Sequence, residues 1–219
     1  MASCSIIIEA IKIPLLMLIS IHTENPQPKL IKQMVDILEE GGVIIYPTDT
    51  VYGIGCDITN KNAVERVARI RGIDPDKAMF SFICQDISQV TEYSKTISND
   101  VFRVMKHNLP GPFTFILNSN NKTPKILKNR KETIGVRIID NNIVDALVRG
   151  LGRPILTASV KSDDAVTEYY TDPHDIYEKL GKQVDGVIDG GMGGDVASTV
   201  IICTGSEAEL YREGAGVLK

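Results

Sequence analysis

Hydroxyl and cationic side chains recur at the ends of the strands that are predicted for this chain. Arginine binds carboxylate or phosphate groups through two parallel hydrogen bonds, whereas lysine acts as a compact point charge. In open α/β sheets, ligands collect beyond the strand ends, where the connecting loops diverge. The set therefore predicts a site for a ligand that carries carboxylate and phosphate groups. Its members are Thr48, Thr50, Arg71, Lys77, Thr114, Arg137, Ser159, Ser198 and Arg212.

Most of these residues also have an ordinary structural explanation. The segment Thr48-Asp49-Thr50 is typical of turns in which polar side chains bind their own backbone. Arg71 stands near the end of a predicted helix, where the helix dipole favours a cation. Arg137 is harder to explain in this way, because an arginine inside an apolar strand must find a partner. The set as a whole is more informative than any of its members.

The sequence lacks the common motifs of nucleotide and metal sites. It contains neither GxxxxGK[ST] nor GxGxxG, so any nucleotide is expected to be held by another arrangement. The glycine-rich segment 190–195 lacks the strand-to-helix context of a phosphate loop and is predicted to be a flexible loop. The 3 histidines are scattered and the 4 cysteines form no CxxC pair, so we expect neither a metal site nor a disulfide framework. A reducing cytoplasm is the predicted location.

The charge distribution indicates a basic face on an acidic chain. The formal net charge is -4, yet residues 122–137 hold six basic side chains and one acidic side chain, Glu132. Such a local field suits an anionic partner such as a nucleotide or RNA, and the alternative is a solvated basic surface segment. The candidate RNA-binding residues are Lys122, Lys125, Lys128, Arg130 and Lys131.

Hydrophobic periodicity predicts one α/β domain, with strands and helices in alternation. Helices are predicted over 28–40, 60 to about 72, 86–95, 99–107, 143–151 and 173–182. Strands are predicted over 43–46, 79–84, 113–118, 134–138, 154–159, 185–189, 198–203 and 208–212. The short strands at the end favour some antiparallel pairs. We therefore expect a twisted mixed sheet, parallel and antiparallel, with helices on both faces.

The N-terminal segment needs a separate interpretation. Residues 5–21 are apolar, but Glu9, Lys12 and Pro14 interrupt them, so neither a membrane span nor a signal peptide is expected. Met17 is a candidate for the true start, and the alternative is an extra strand or a partner-binding arm. We divide the chain into an extension, 1–24, and a domain, 25–219, and expect no membrane partner.

Six motifs in order resemble one known family, the YrdC/YciO family, from about Gly41 to Gly216. They are YPTDTVYGIGCD, PGPFTFIL, IGVRI, the strand ending LTAS, DGG with ASTV, and YREGAG. The best-known members are threonylcarbamoyl-adenylate synthases of tRNA modification. The resemblance implies a positively charged cavity for L-threonine and ATP, which bicarbonate joins to give threonylcarbamoyl-AMP and pyrophosphate. It implies Mg²⁺ that accompanies ATP as substrate and no metal bound by the protein itself.

The resemblance also assigns roles to single residues. Thr48 matches the threonine-contacting position of PT[DE], and Arg137 matches the arginine that is expected to meet the amino-acid carboxylate. Other positions of the family's motifs fall on Thr114 of PGPxT, Ser159 of SxN, Ser198 of the ESTV-like motif and Arg212 of RxG.

Two departures from the synthase pattern resemble the YciO branch. Counted without gaps, the Lys-x-Arg pair of the synthases falls on Arg71 and Ile73, and the asparagine of SxN falls on Lys161. Lys161 therefore joins the candidate ligand-binding residues. We expect a protein of threonylcarbamoyladenosine metabolism that binds an adenine nucleotide and tRNA or double-stranded RNA. Synthesis of threonylcarbamoyl-AMP and removal of the threonylcarbamoyl group are both open. The alternative is a non-catalytic RNA-binding module with a relic nucleotide cavity.

Overall fold

Helices and strands alternate along the chain, as the hydrophobic periodicity predicts. A computed structural model describes residues 17–74, 80–124, 127, 132–163 and 168–219. The helices are α1 (Pro28–Glu39), α2 (Lys61–Ile70), α3 (Ile87–Tyr93), α4 (Asn99–Asn108), α5 (Asn142–Leu151) and α6 (Pro173–Leu180), followed by a 3-10 helix at Gly181–Gln183. The strands are β1 (Leu18–Ser20), β2 (Val43–Tyr46), β3 (Gly53–Asp57), β4 (Ser81–Ile83), β5 (Phe113–Asn118), β6 (Thr133–Arg137), β7 (Ile155–Ser159), β8 (Gly186–Asp189), β9 (Thr199–Ile202) and β10 (Glu209–Arg212).

One mixed sheet joins all the described strands. Their order is β1-β8-β2-β3-β7-β4-β6-β5-β9-β10. The pairs β1 with β8, β2 with β8, β4 with β6, and β5 with β9 are parallel, and the remaining pairs are antiparallel. The predicted class, a single α/β domain with a mixed sheet, is confirmed.

Two apolar layers cover the sheet because side chains alternate along each strand. On β2, Val43 and Ile45 pack into the larger layer, which includes buried residues of α2, α4 and α6. Ile44 and Tyr46 face the other way and pack with α1 and α5. All four residues of β2 are buried, as expected for a strand in a sheet whose two faces are both covered.

The helix starts follow local signals in the sequence. Pro28 stands in the first turn of α1, where its missing N–H costs no hydrogen bond. Asn60 caps α2 by accepting a hydrogen bond from the Ala63 N–H at 3.0 Å. Both starts agree with the sequence prediction.

The buried face of α1 is rotated from the predicted one. The sequence predicts a buried face of Leu30, Met34, Ile37 and Leu38. The structure buries Met34 and Leu38 as predicted, but it also buries Ile31 and Val35 and leaves Leu30 and Ile37 partly exposed. The reason is that α1 packs against α5 as well as the sheet, so its buried stripe lies between the two.

Strand β3 is missing from the sequence prediction. Its residues GIGCD contain two glycines, which suggest a loop and weaken a strand. The structure needs small residues here because β3 lies between β2 and β7 in a central position. A Cβ atom at Gly55 would overlap the Leu156 carbonyl oxygen and lie 2.5 Å from the Tyr46 hydroxyl oxygen. The glycines therefore allow a close approach of neighbouring groups.

Part of the N-terminal segment belongs to the sheet. Strand β1 lies inside the region 1–24 that the sequence analysis sets apart, and it pairs in parallel with β8 at the sheet edge. Residues 1–16 lie outside the described residues. No helix in the described part of the chain is long and apolar enough to cross a membrane. The cytoplasmic location and the boundary at 24 and 25 stay predictions.

An ion pair ties β3 to the turn that follows α5. Arg153 donates to Asp57 Oδ2 from Nε at 2.8 Å and from a terminal nitrogen at 2.5 Å. Thr59 donates to Asp57 Oδ1 from its backbone N–H and its hydroxyl, both at 2.8 Å. Burial opposes ionisation, but the Arg153 and Thr59 hydrogen bonds prevail and hold the pKa of Asp57 below its usual range.

Replacing Asp57 by Asn is expected to lower the free energy of unfolding at neutral pH by about 2 kcal/mol, because charged hydrogen bonds are removed. The native pKa of Asp57 lies below that of the unfolded chain, about 3.9. Its contribution is therefore complete above that value and disappears as the pH falls through the native pKa. Urea unfolding at several pH values tests this. Asp100→Asn, which alters an exposed pair, serves as control. A difference of equal size at pH 3 and pH 7 would contradict the assignment.

Candidate functional site

A cavity of about 280 Å³ lies on the sheet. Its lining comes from seven consecutive strands, β3, β7, β4, β6, β5, β9 and β10, and from the loops beside them. Ser81 of β4 stands opposite Gly135 of β6 and Thr157 of β7. A Cβ atom at Gly135 would overlap the Ser81 hydroxyl oxygen. Small residues on three adjacent strands therefore leave room above the centre of the sheet.

The structure brings most of the predicted ligand-binding residues together. Those that line the cavity are Thr48, Arg71, Thr114, Arg137, Ser159, Lys161, Ser198 and Arg212. Thr50 stands behind them and is hydrogen-bonded to Thr48 and Arg137. Lys77 lies outside the described residues. The binding roles assigned to these residues stay predictions.

The threonines after β2 form a turn and line the cavity at the same time. The Thr48 hydroxyl donates to the Val51 carbonyl at 2.7 Å and accepts from the Thr50 N–H at 3.0 Å. Its oxygen also lies 3.1 Å from the Thr50 hydroxyl oxygen. The turn holds the Thr48 side chain at the cavity. The turn-forming role of Thr48 and its predicted ligand-binding role are therefore compatible.

Arg137 is paired with Asp49, a residue that the sequence analysis treats only as a turn former. A terminal nitrogen of Arg137 lies 2.6 Å from Asp49 Oδ1, and the two side chains are 7% and 8% exposed. The same nitrogen donates to the Thr50 hydroxyl at 3.1 Å, and the Asp140 N–H donates to Asp49 Oδ2 at 3.3 Å. A buried arginine requires a partner, so the sequence predicted that Arg137 has one. Nothing in the sequence showed that this partner is Asp49.

Arg137 keeps its charge at neutral pH because a guanidinium does not lose its proton there. Burial lowers the pKa of Arg137, and the charge of Asp49 opposes that shift. Burial likewise raises the pKa of Asp49, against the charge of Arg137. Arg137 therefore places a positive charge at the cavity, and the neighbouring Asp49 partly balances this charge.

Two arginines keep a buried hydrogen-bond donor without a partner among the described residues. These donors are the Nε atoms of Arg71 and Arg137, and both side chains line the cavity. Burial lowers the pKa of Arg71, and Tyr169 opposes the shift. An unsatisfied buried donor is costly, but each of these Nε atoms exposes less than 1 Å², so a ligand in the cavity does not reach it directly.

Hydrogen bonds join three motifs that are distant in sequence. The hydroxyl oxygens of Thr114 and Ser198 lie 2.8 Å apart. Arg212 donates from a terminal nitrogen to the Ser198 carbonyl at 2.8 Å. The PGPFT, ASTV and YREG segments therefore form one wall of the cavity.

The two positions that depart from the synthase pattern also line the cavity. Ile73 offers an apolar side chain, and Lys161 forms an ion pair with Glu168 at 3.2 Å. The Tyr169 hydroxyl donates to the same Glu168 oxygen at 2.9 Å. The hydrogen bonds from Tyr169 and Lys161 lower the pKa of Glu168. Glu168 and Tyr169 belong to no recognised motif, so no signal in the sequence predicted them.

The cavity has a cationic lining in the described part of the chain. Its charged lining residues are Arg71, Arg137, Lys161, Arg212 and Glu168. The described residues contain no group of three or more His, Cys, Asp or Glu side chains that could hold a metal ion. The chemical fit is therefore to an anionic ligand held by guanidinium and hydroxyl groups.

The glycine-rich segment after β8 is held against the Thr48–Thr50 turn. The Gly194 N–H donates to the Thr50 carbonyl at 2.8 Å, and the Gly193 N–H donates to the Thr171 carbonyl at 2.8 Å. The Tyr52 hydroxyl donates to the Gly191 carbonyl at 2.7 Å. These bonds connect the segment to neighbouring loops, and its predicted flexibility stays a prediction.

The predicted RNA face is described only at one end. Lys122 is exposed, and its backbone N–H donates to the Asn120 side chain at 2.9 Å. The other four candidates, Lys125, Lys128, Arg130 and Lys131, lie outside the described residues.

The fold and the cavity define an α/β protein with a cationic cavity on its mixed sheet. The chain matches the model of the Sua5/YciO/YrdC family, described as telomere recombination, over residues 36–214, and it belongs to that family. It is 44% identical to the Escherichia coli protein YciO over 201 residues, which are 91% of this chain and 96% of YciO. The crystal structure of E. coli YciO superposes with a TM-score of 0.86, at 42% identity, over 92% of this chain and 97% of YciO.

Relatives named for synthesis are more distant. The threonylcarbamoyl-AMP synthase of Vibrio vulnificus is 28% identical over 165 residues, which are 74% of this chain and 87% of the synthase. The structure of Pyrococcus abyssi Sua5 complexed with L-threonine has a TM-score of 0.81 at 27% identity, over 90% of this chain and 57% of Sua5. The family is therefore linked to threonylcarbamoyl-AMP synthesis and to threonine binding.

Proposed function

We propose that the cavity binds an adenine nucleotide together with L-threonine or a threonylcarbamoyl group, and that the protein acts in the threonylcarbamoyladenosine metabolism of tRNA. The observation that carries this proposal is the lining of the cavity, in which guanidinium groups such as Arg71 and Arg137 stand beside the hydroxyl groups of threonine and serine side chains. Carboxylate and phosphate oxygens are the acceptors that such donors bind best.

The threonine part of the proposal draws on the walls of the cavity. Thr48, Ser159 and the hydrogen-bonded Thr114 and Ser198 offer hydroxyl groups, and Arg137 offers a charge that Asp49 holds in place. The structure of P. abyssi Sua5 with L-threonine supports this assignment, since that protein shares the fold. Arg137 is the proposed contact for the amino-acid carboxylate.

The nucleotide part draws on charge and size. The volume of about 280 Å³ lies just below the range of about 300–1,000 Å³ that is usual for small-molecule sites. An amino acid or part of a nucleotide fits inside, and the remainder of a nucleotide reaches the mouth. Arg71, Lys161 and Arg212 are the proposed phosphate contacts, with ATP bound as its Mg²⁺ complex.

Removal of the threonylcarbamoyl group from RNA is favoured over synthesis by two side chains. Ile73 lacks a charge for a phosphate, and the charge of Lys161 is shared with Glu168. Hydrolysis requires no group that holds pyrophosphate, whereas synthesis depends on fixed charges around the phosphates. A non-catalytic RNA-binding module is the second candidate, and the basic segment from Lys122 onward favours it.

One paired experiment separates these functions. The protein is incubated with L-threonine, bicarbonate, ATP and Mg²⁺, and pyrophosphate release is measured; a parallel sample contains tRNA with the threonylcarbamoyl group, which is followed by mass spectrometry. Loss of the group without pyrophosphate release supports removal, and threonine-dependent pyrophosphate release supports synthesis. RNA binding without either reaction supports the module, and the absence of all three refutes the proposal.

The basic segment is expected to bind RNA phosphates. Replacing Lys125, Lys128, Arg130 and Lys131 with Ala should weaken RNA binding and flatten its dependence on salt by roughly 0.7 to 0.9 units of log–log slope for each phosphate that is no longer bound. Fluorescence anisotropy at several salt concentrations measures both. The control variant removes equal charge elsewhere, with Ala at the exposed positions Lys32, Lys61, Lys106 and Lys182. If the control variant changes RNA affinity and its salt dependence as much as the first variant does, the loss reflects overall charge and the segment has no specific role in RNA binding.

A further inference from the structure

Strand β10 contains an irregularity at Tyr211 that turns two consecutive side chains to one side. Leu210 stands opposite Ile201 of β9, and the next paired residue, Arg212, stands opposite Val200. Tyr211 is therefore an extra residue in the ladder. Consecutive residues of a regular strand point to opposite faces, but a β-bulge can redirect a side chain. Both Tyr211 and Arg212 line the cavity as a result.

The Tyr211 side chain lines the cavity and is largely open to water. It is 64% exposed, whereas Tyr169, another aromatic residue of the lining, is 7% exposed and donates its hydroxyl to Glu168. The neighbouring Arg212 is anchored to the Ser198 carbonyl, so the backbone that carries the ring is fixed. The ring is thus positioned at the site without being packed within the core.

We propose that Tyr211 is a stacking platform for the planar base of a nucleotide or nucleoside whose anionic part binds among the arginines of the cavity. The inference rests on the proposed function and adds the subsite for the base. An aromatic face stacks on any base, and the adjacent guanidinium of Arg212 suits a phosphate at the next position. The shared chemistry is a heteroaromatic base, supplied either by free ATP or by RNA.

Fluorescence gives a direct test, since the chain contains no tryptophan. Tyr211→Trp introduces a single reporter at the proposed platform. Titration with ATP is expected to quench its emission, whereas inorganic triphosphate, which has no base, is expected to leave it unchanged. Quenching of equal size by both ligands, or by neither while ATP binds, would overturn the platform.

Affinity measurements give an independent test with matched variants. Tyr211→Ala is expected to weaken binding of ATP, or of a single-stranded RNA oligonucleotide, by about 5- to 150-fold, because base–aromatic stacking is removed. Tyr211→Phe should keep the affinity, and inorganic triphosphate should bind all variants equally. Phe102→Ala, which removes an exposed ring on α4, serves as control.

The outcomes distinguish this inference from the proposed function. A loss of affinity confined to ATP assigns the platform to a free nucleotide, and a loss confined to the oligonucleotide assigns it to RNA. If the natural chain binds ATP and RNA, and Tyr211→Ala binds each of them with the same affinity as the natural chain, the platform is refuted while the proposed function stands. If the natural chain binds neither ligand, the proposed function fails and the platform fails with it.

Discussion

Replacing Arg137 by methionine is expected to lower the free energy of unfolding by about 3–5 kcal/mol and to abolish ligand binding. The substitution leaves the Asp49 carboxylate almost fully buried, with a backbone N–H from Asp140 at 3.3 Å but without its cation. An unpaired charge in such an environment is strongly destabilising. Urea denaturation followed by circular dichroism measures the decrease. Arg149→Met is the control, because its pair with Asp145 is exposed to solvent.

A double-mutant cycle that combines Arg137→Met with Asp49→Asn separates the effect on stability from the effect on ligand binding. Asp49→Asn in the Arg137→Met background removes the buried charge and is expected to restore part of the stability. The two single changes should therefore be far from additive, as is typical for residues in direct contact. Ligand binding should remain absent in the double variant, since no guanidinium faces the cavity from position 137. Equal destabilisation by Arg137→Met and Arg149→Met would show that the buried pair has no special role.

The elements that the sequence predicts well are those with a strong apolar pattern. Strand β5 agrees with its prediction, 113–118, and α5 differs by one residue at its start. Strand β3 was missed because glycine is rare inside strands, yet here glycine is required by close contacts with β7 and Tyr46. Local patterns therefore predicted most of the fold and failed where long-range packing decided the residue type.

The candidate site could be predicted as a set of residues but not as a set of contacts. Asp49 and Arg137 are 88 positions apart, and the choice of partner depends on how β2 and β6 are placed in the sheet. Glu168 reaches Lys161 because Lys161 and Tyr169 form an antiparallel bridge, which the sequence does not indicate. Tyr211 points to the cavity because of a shift in strand register, and register is a property of the pair of strands.

The charges around Lys161 determine how the single replacement Lys161→Asn affects nucleotide binding. The asparagine of the synthase pattern at this position would remove the cation that faces Glu168 at 3.2 Å. The carboxylate would then repel the phosphates of a nucleotide in the same cavity. Lys161→Asn alone is therefore expected to weaken nucleotide binding, and Ile73→Arg alone adds a cation while the amide remains absent. Each single change supplies only one of the two groups that the synthase pattern implies.

The two changes together, Ile73→Arg with Lys161→Asn, are expected to raise threonine-dependent pyrophosphate release more than either alone. Each charged hydrogen bond contributes about 1.5–3 kcal/mol, so two that act on the transition state give roughly a hundredfold to ten-thousandfold increase over a natural chain with little or no activity. Both side chains line the cavity, so the new groups are placed at the site. The control carries Met at 73 with Asn at 161 and lacks the added charge. Robust synthesis by the natural chain would show that Arg71 and Lys161 already suffice, and an equally active control would show that the charge at position 73 is not the cause.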